Sequence, residues 1–175
     1  TPVREALQLL ASFGIVENQH NRGTVIRPFG PTQIEEIYYV RALLEAEATR
    51  LACFKIDPAQ LNAIQSETSE LLAHESQDWA VAVPGIDKGL HDLIGRSCGK
   101  QRLQEEIHRY HVFIFVPKPF HPDAHRIVLA DHLEIINCLV KKDPEKAAQA
   151  MLDHIHHGAK MCQGLLFGDR CENNL

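Results

Sequence analysis

Apolar and polar residues alternate with a helical period along almost the whole chain. The first instance is short. Val3, Ala6, Leu7 and Leu10 recur at i, i+3, i+4 and i+7, so they share one face of a helix, while Arg4 and Gln8 lie on the other. Thr1 is a good N-cap for that helix and Pro2 suits its first turn. Phe13-Gly14 stops it. Two short β-prone runs follow, Ile15–Val16 and Thr24–Ile26, joined by the polar turn Asn18-Gln19-His20-Asn21-Arg22-Gly23. Pro28 to Pro31 reads as a linker, which sets residues 1–28 apart from the rest.

From Thr32 the pattern is helical nearly throughout. It predicts helices over Thr32–Phe54, Asp57–Glu75, Asp78–Cys98, Lys100–Val116, Pro122–Lys142 and Asp143–Phe167. In the first of these, Ile34, Ile37, Val40, Leu43, Leu44, Ala48 and Leu51 are the expected buried positions. Asp57-Pro58 and Asp143-Pro144 are N-cap and first-turn signals, and Gly99 is a stop. Pro84-Gly85 predicts a kink or break in the third helix. The run Val112–Val116 is also β-prone. Residues 168–175 read as a polar, frayed tail. The expected fold is therefore all-α: an antiparallel bundle of about six helices over 32–167, preceded by a helix and hairpin and a linker at 29–31.

A helix with an outward Arg, a glycine stop and a basic-tipped hairpin has the form of the recognition helix and wing of a winged helix-turn-helix. The stretch TPVREALQLLASFGIVENQHNRGTVI resembles the end of the DNA-binding domain of GntR-family bacterial transcription regulators, and the bundle behind it resembles the FCD effector domain of that family's FadR branch. The resemblance implies that Thr1, Arg4, Arg22 and Gly23 face DNA. It implies that the first half of the motif precedes Thr1, so that the chain is a fragment and only the intact protein meets operator DNA. It further implies a ligand-responsive regulator, a repressor, working as a cytoplasmic homodimer on small organic-acid effectors.

Charge supports this division. Arg4, Arg22 and Arg27 against Glu5 and Glu17 leave residues 1–28 at +1, so the remainder carries −6 of the total of −5. An acidic bundle is not a nucleic-acid surface. The 5 cysteines, at 53, 98, 138, 162 and 171, are odd in number and lack a CxxC pair, which fits free thiols in a reducing compartment. No apolar run is long enough to span a bilayer.

The candidate chemistry lies in the histidines. Asp87 and His91 are one helical turn apart, on a stripe continued by Ile94 and Cys98. His132 lies on the stripe Val128, Ile135, Ile136, Leu139. His154 lies on the stripe Ala147, Ala150, Met151, Gly158, Met161. One inward histidine is ordinarily hydrogen-bonded to a neighbour. Three, with a carboxylate, on the apolar faces of three helices need partners in common, and a divalent cation satisfies all four. The N₃O set suits Zn²⁺, Ni²⁺, Fe²⁺ or Mn²⁺. The family resemblance implies the same set, since many FCD domains carry Asp-x-x-x-His on one helix and a His on each of two later ones. Of the other histidines, His156 and His157 fall off the stripe, and His121 and His125 are expected at the surface.

A carboxylate effector would complete the ion's coordination and needs a cation of its own. Arg41 is the first candidate, Arg109 the second, and Asn137 is a candidate hydrogen-bond donor. Enzyme readings compete. His91-Asp92 resembles the pair of HD-domain metal-dependent phosphohydrolases, but Asp92 is expected to point away from the Asp87 face. A di-iron bundle needs two Glu-x-x-His segments, and only Glu105-Glu106-Ile107-His108 is present. A metal-free dimerisation bundle is the third reading.

Overall fold

The structure is a computed structural model, and it describes residues 2–12, 14–28, 30–74, 79–111 and 122–168. Thr1, His121, the Val112–Val116 run and residues 169–175 lie outside them. Helix α1 (Pro2–Ser12) packs on a hairpin of β1 (Val16–Gln19) and β2 (Gly23–Ile26). The strands pair antiparallel with Val16 opposite Ile26 and Gln19 opposite Gly23. The turn between them puts Asn21 at φ 64° and Gly23 at φ 74°, the left-handed region that suits these residue types. Arg4, Arg22 and Gly23 are exposed.

Among the described residues six helices follow: α2 (Pro31–Ala52), α3 (Pro58–Ala73), α4 (Trp79–Ser97), α5 (Gln101–His111), α6 (Pro122–Val140) and α7 (Pro144–Phe167). Their boundaries obey local chemistry. The Asp57 carboxylate accepts from Ala59 N at 3.0 Å and that of Asp143 from Lys146 N at 3.1 Å, each followed by Pro in the first turn. Gly99, at φ 72°, ends α4. Pro84 neither breaks nor interrupts α4. It lies early in the helix, where it withdraws a single N–H, and the Trp79 indole anchors that end by donating to Leu71 O at 3.1 Å.

One core joins all six helices. Leu90, Ile94, Ile135, Ile136, Leu139, Met151 and Ile155 are within 2 % of full burial, each stabilising the fold by about 1.5–3 kcal/mol. A satellite cluster of Trp79, Val83, Ile86, Val128 and Leu129 packs where α4 and α6 begin. Helices α2 and α7 form the most extensive pair. They approach closely because small residues meet there. A Cβ on Gly158 would lie 3.3 Å from the Tyr38 ring.

The expected face of α2 holds in part: Ile34 and Ala48 are buried and Ile37, Leu44 and Leu51 pack against the core, but the close pairing with α7 turns the helix so that Leu43 leaves it. Leu43 is 53 % exposed, while Tyr38, Arg41, Ala42, Glu45, Ala46, Thr49 and Ala52 turn inward. Alanines admit α7 where large aliphatic side chains would hold it off, and the two charged groups are buried for a reason that appears at the site.

Candidate metal centre

Helix α4 carries Asp87 and His91 one turn apart, α6 carries His132, and α7 carries His154. All four are buried, and one donor atom of each lies within 4.8 Å of every other. His132 Nε2 stands 3.1 Å from Asp87 Oδ1. His91 Nε2 and His154 Nε2 are each 3.6 Å from the same oxygen, and 3.2 Å from one another. The four sequence-derived candidates therefore converge on one point.

The partners of the ring nitrogens decide where the protons of these imidazoles sit. His91 Nδ1 bonds the Glu45 carboxylate. A carboxylate accepts only, so Nδ1 holds the proton and Nε2 is left as an acceptor. His154 Nδ1 lies 3.6 Å from Asp131 Oδ2, an ion-pair distance, and the exposed His157 Nδ1 bonds that oxygen at 2.8 Å. His132 Nδ1 has no hydrogen-bond partner among the described residues. In this site, closed to water, His91 Nε2 is therefore an acceptor, while His132 Nε2 donates to the Asp87 carboxylate. Without protons between them the four donor atoms would repel one another unless a cation took their place.

The titration behaviour of the metal-free centre reflects this. Burial pushes His132 down to about 4, even against the pull of Asp87. Burial also opposes charge on His154, but Asp131 and Asp87 outweigh it and hold His154 up at about 9. Burial would raise Asp87, yet His91, His132 and His154 hold it well below the usual carboxylate range. One proton is therefore kept on His154 to neutralise the cluster. A divalent ion does the same work better, because it binds all four donors at once. The donor set fits Zn²⁺, Ni²⁺, Fe²⁺ or Mn²⁺.

Sequence reasoning missed Glu45 and Asp131. Glu45 had a signal: with Arg41 it interrupts a buried α2 stripe in the way the histidines interrupt theirs. Asp131 had none, since it sits beside His132 rather than one turn from it. Arg41 is 4 % exposed, bonds Glu45 Oε1 through Nε at 3.0 Å, and lies 4.9 Å from the Tyr38 ring centroid. Arg109 is 57 % exposed and pairs with Glu106 at 3.7 Å. Asn137 Oδ1 accepts from Gln65 at 3.0 Å, on the seam with α3. Neither Arg109 nor Asn137 is brought into the cluster. Asp92 turns to Lys88, 2.5 Å away, rather than to the Asp87 face. His156 and His157 are exposed. His125 is not at the surface: it is 3 % exposed and stands edge-on to Trp79, with centroids 6.4 Å apart. The first turn of α6 covers that indole, and His125 goes in with it.

A cavity of about 440 Å³ opens between α4 and α5, with His91, Arg96, Gln101 and Gln104 among its walls. Its size is that of a small-ligand site.

A helical bundle with a buried cluster of three histidines and an aspartate thus follows a helix and a two-stranded hairpin. The chain belongs to the FCD domain family, whose model matches residues 36–157, and it is a transcription regulator of the GntR type. It is 23 % identical over 172 residues to the HTH-type transcriptional regulator YdhC of Bacillus subtilis strain 168, covering 95 % of this chain and 76 % of that one. It is 23 % identical over 163 residues to the HTH-type transcriptional repressor RspR of Escherichia coli K12, covering 88 % and 69 %. A GntR-family regulator structure from Pseudomonas syringae pv. tomato DC3000 superposes with a TM-score of 0.64 at 22 % identity, over 99 % of this chain and 73 % of that one. That likeness concerns the fold. The relatives are transcription regulators and not enzymes, and the phosphohydrolase reading finds no support.

Proposed function

We propose that this chain is the sensing part of a transcriptional repressor, that it holds one divalent ion on Asp87, His91, His132 and His154, and that a small organic acid binds at that ion. The observation that carries the reading is the convergence of three imidazoles and one carboxylate, from three helices, in a buried site. The ion would supply open coordination positions for carboxylate oxygens. Arg41 stands near enough to Asp87 to feel its charge. Its Nε serves Glu45, and its terminal nitrogens are the proposed partners of the acid's remaining charge. The cavity beside His91 gives such a ligand space. The relative RspR is a transcriptional repressor, and repression is the sign proposed here.

Residues 1–28 form the DNA-contacting piece in this reading, with 29–31 as linker and 32–167 as the sensing domain. Arg4 and Arg22 meet operator DNA in the intact protein, with Thr1 and Gly23 beside them. Two copies bind together, and Tyr39 and Leu43, exposed along one side of α2, are apolar surface suited to such pairing. The protein works in the cytoplasm; no described helix is long and apolar enough to cross a membrane.

The test is metal quantification on the purified chain, followed by calorimetry of citrate, lactate and gluconate against metal-loaded and chelator-stripped protein. One ion per chain, with acid binding only to the loaded form, is expected. A chain that takes up no divalent ion, or that binds an acid equally well when stripped, refutes the reading.

A further inference from the structure

The outer faces of the cluster carry a second layer of charge. Glu45 is 2 % exposed and uses both oxygens, Oε2 on His91 Nδ1 and Oε1 on Arg41 Nε. Arg41 in turn lies against the Tyr38 ring. A lone carboxylate this deeply buried is strongly unfavourable, and Arg41 offsets part of that penalty. Across the cluster, Asp131 faces His154, and the same carboxylate oxygen is held by His157 at 2.8 Å. The third imidazole, His132, has no such support on Nδ1 among the described residues. Two of the three rings thus face carboxylates with their outer nitrogens, His91 through a hydrogen bond to Glu45 and His154 at an ion-pair distance of 3.6 Å from Asp131, where no hydrogen bond forms.

Of these two contacts, only that of Glu45 reaches outside the ligand-bearing helices. The four donors sit on α4, α6 and α7, while Glu45 sits on α2, which begins at Pro31 directly after the hairpin that ends at Ile26. The start of α2 is also held from α7, where Gln163 donates to Pro31 O at 3.1 Å.

We infer that Glu45 and Asp131 are positioning residues of the metal centre, and that the Arg41–Glu45–His91 chain is the link through which the state of that centre reaches α2. This rests on the metal reading given above. Glu45 sets the His91 tautomer and ring direction, so that Nε2 points at the ion. Conversely, a ring drawn onto an ion pulls on a carboxylate rooted in α2. Coupling of this kind needs no contact between the ion and α2 itself. Carboxylates behind metal-bound imidazoles characteristically change affinity by about 10–100-fold when removed.

The experiment measures Zn²⁺ affinity by chelator competition on the full chain, for wild type, Glu45→Gln, Asp131→Asn and the exposed control Asp153→Asn. The visible absorption of the Co²⁺-loaded proteins is recorded alongside. Each of the first two variants is expected to bind Zn²⁺ about 10–100-fold more weakly and to shift the Co²⁺ bands. Stripped proteins should keep their circular dichroism, and the control should match wild type. Hydrogen exchange then tests the link. Zn²⁺ should slow exchange in α2 around residues 41–49 in wild type, and in Glu45→Gln it should slow only α4, α6 and α7. Should Glu45→Gln fail to fold, Asp131→Asn, whose side chain is 18 % exposed, carries the affinity test and Arg41→Gln the exchange test. Unchanged affinity and spectra in a Zn²⁺-binding wild type background overturn the positioning role. Protection of α2 by Zn²⁺ in Glu45→Gln overturns the link. A wild type that binds neither Zn²⁺ nor Co²⁺ overturns the metal reading itself.

Discussion

Replacing His132 by Ala separates a metal centre from a purely hydrogen-bonded cluster. The ring is wholly buried, with Nε2 3.1 Å from Asp87 and Nδ1 without a hydrogen-bond partner among the described residues. In stripped protein the change leaves a cavity and removes one hydrogen bond, but it also removes an unsatisfied nitrogen, so a loss of about 2–3 kcal/mol is expected. In loaded protein the change also removes one of four donors. An ion at about 1,000 times its dissociation constant stabilises the native state by about 4 kcal/mol. For a chain of this size each kcal/mol moves the melting temperature by about 2–4 °C. Wild type should therefore melt about 8–16 °C higher with Zn²⁺ than after chelation, and His132→Ala should show little of that interval. Thermal melts of stripped and Zn²⁺-supplemented proteins read both quantities. A variant that keeps the wild-type interval would show that His132 is not a ligand. A wild type with no interval would remove the centre altogether.

Four further outcomes follow from the same structure. In stripped protein His154, held up at about 9, contributes stability that is complete below its ordinary 6.5 and is lost as pH rises through 9. His132, pushed down to about 4, contributes stability that is complete above 6.5 and is lost as pH falls towards 4. The urea midpoint of stripped protein should accordingly peak near neutral pH, and a midpoint climbing steadily to pH 9 would contradict the hold of Asp87 and Asp131 on His154. Leu139→Ala, at 0 % exposure, should cost about 2–5 kcal/mol in the same assay, and a cost under about 1 would place Leu139 outside the core. Gly158→Val crowds Tyr38, 3.3 Å from the added Cβ, and should cost about 1–3 kcal/mol; a variant as stable as wild type would mean that α2 and α7 can part freely. In the intact regulator, Arg4→Ala should abolish specific operator binding in a gel-shift assay, and undiminished affinity at matched salt would exclude α1 as the recognition helix.

The helices were legible because their signals are local. Period, Asp-Pro starts and the Gly99 stop each act within a turn or two of chain, and every bundle helix begins or ends near such a signal. The four donors were legible for a related reason. Each is a polar residue on an apolar stripe, and stripes converge on a common interior in any bundle, whatever its exact packing. The inward face of α2 was legible only in part: Ile34 and Ala48 are buried as expected, but Leu43 is not. Large aliphatic residues ordinarily mark the buried side, but the close approach of α7 favours small ones there, and that distance is a property of the pair. Glu45 was passed over although it interrupts the α2 stripe, and Asp131 and His125 carried no signal of their burial. A charge or imidazole off the expected stripe is surface by default, and what reverses that is a partner from another helix: His91 for Glu45, His154 for Asp131, Trp79 for His125. The sequence by itself determined which segments are helical and which polar groups must find company inside. Only the tertiary structure decided which groups keep that company, because the energy of a buried charge depends on atoms a few ångströms away in space and tens of residues away in the chain.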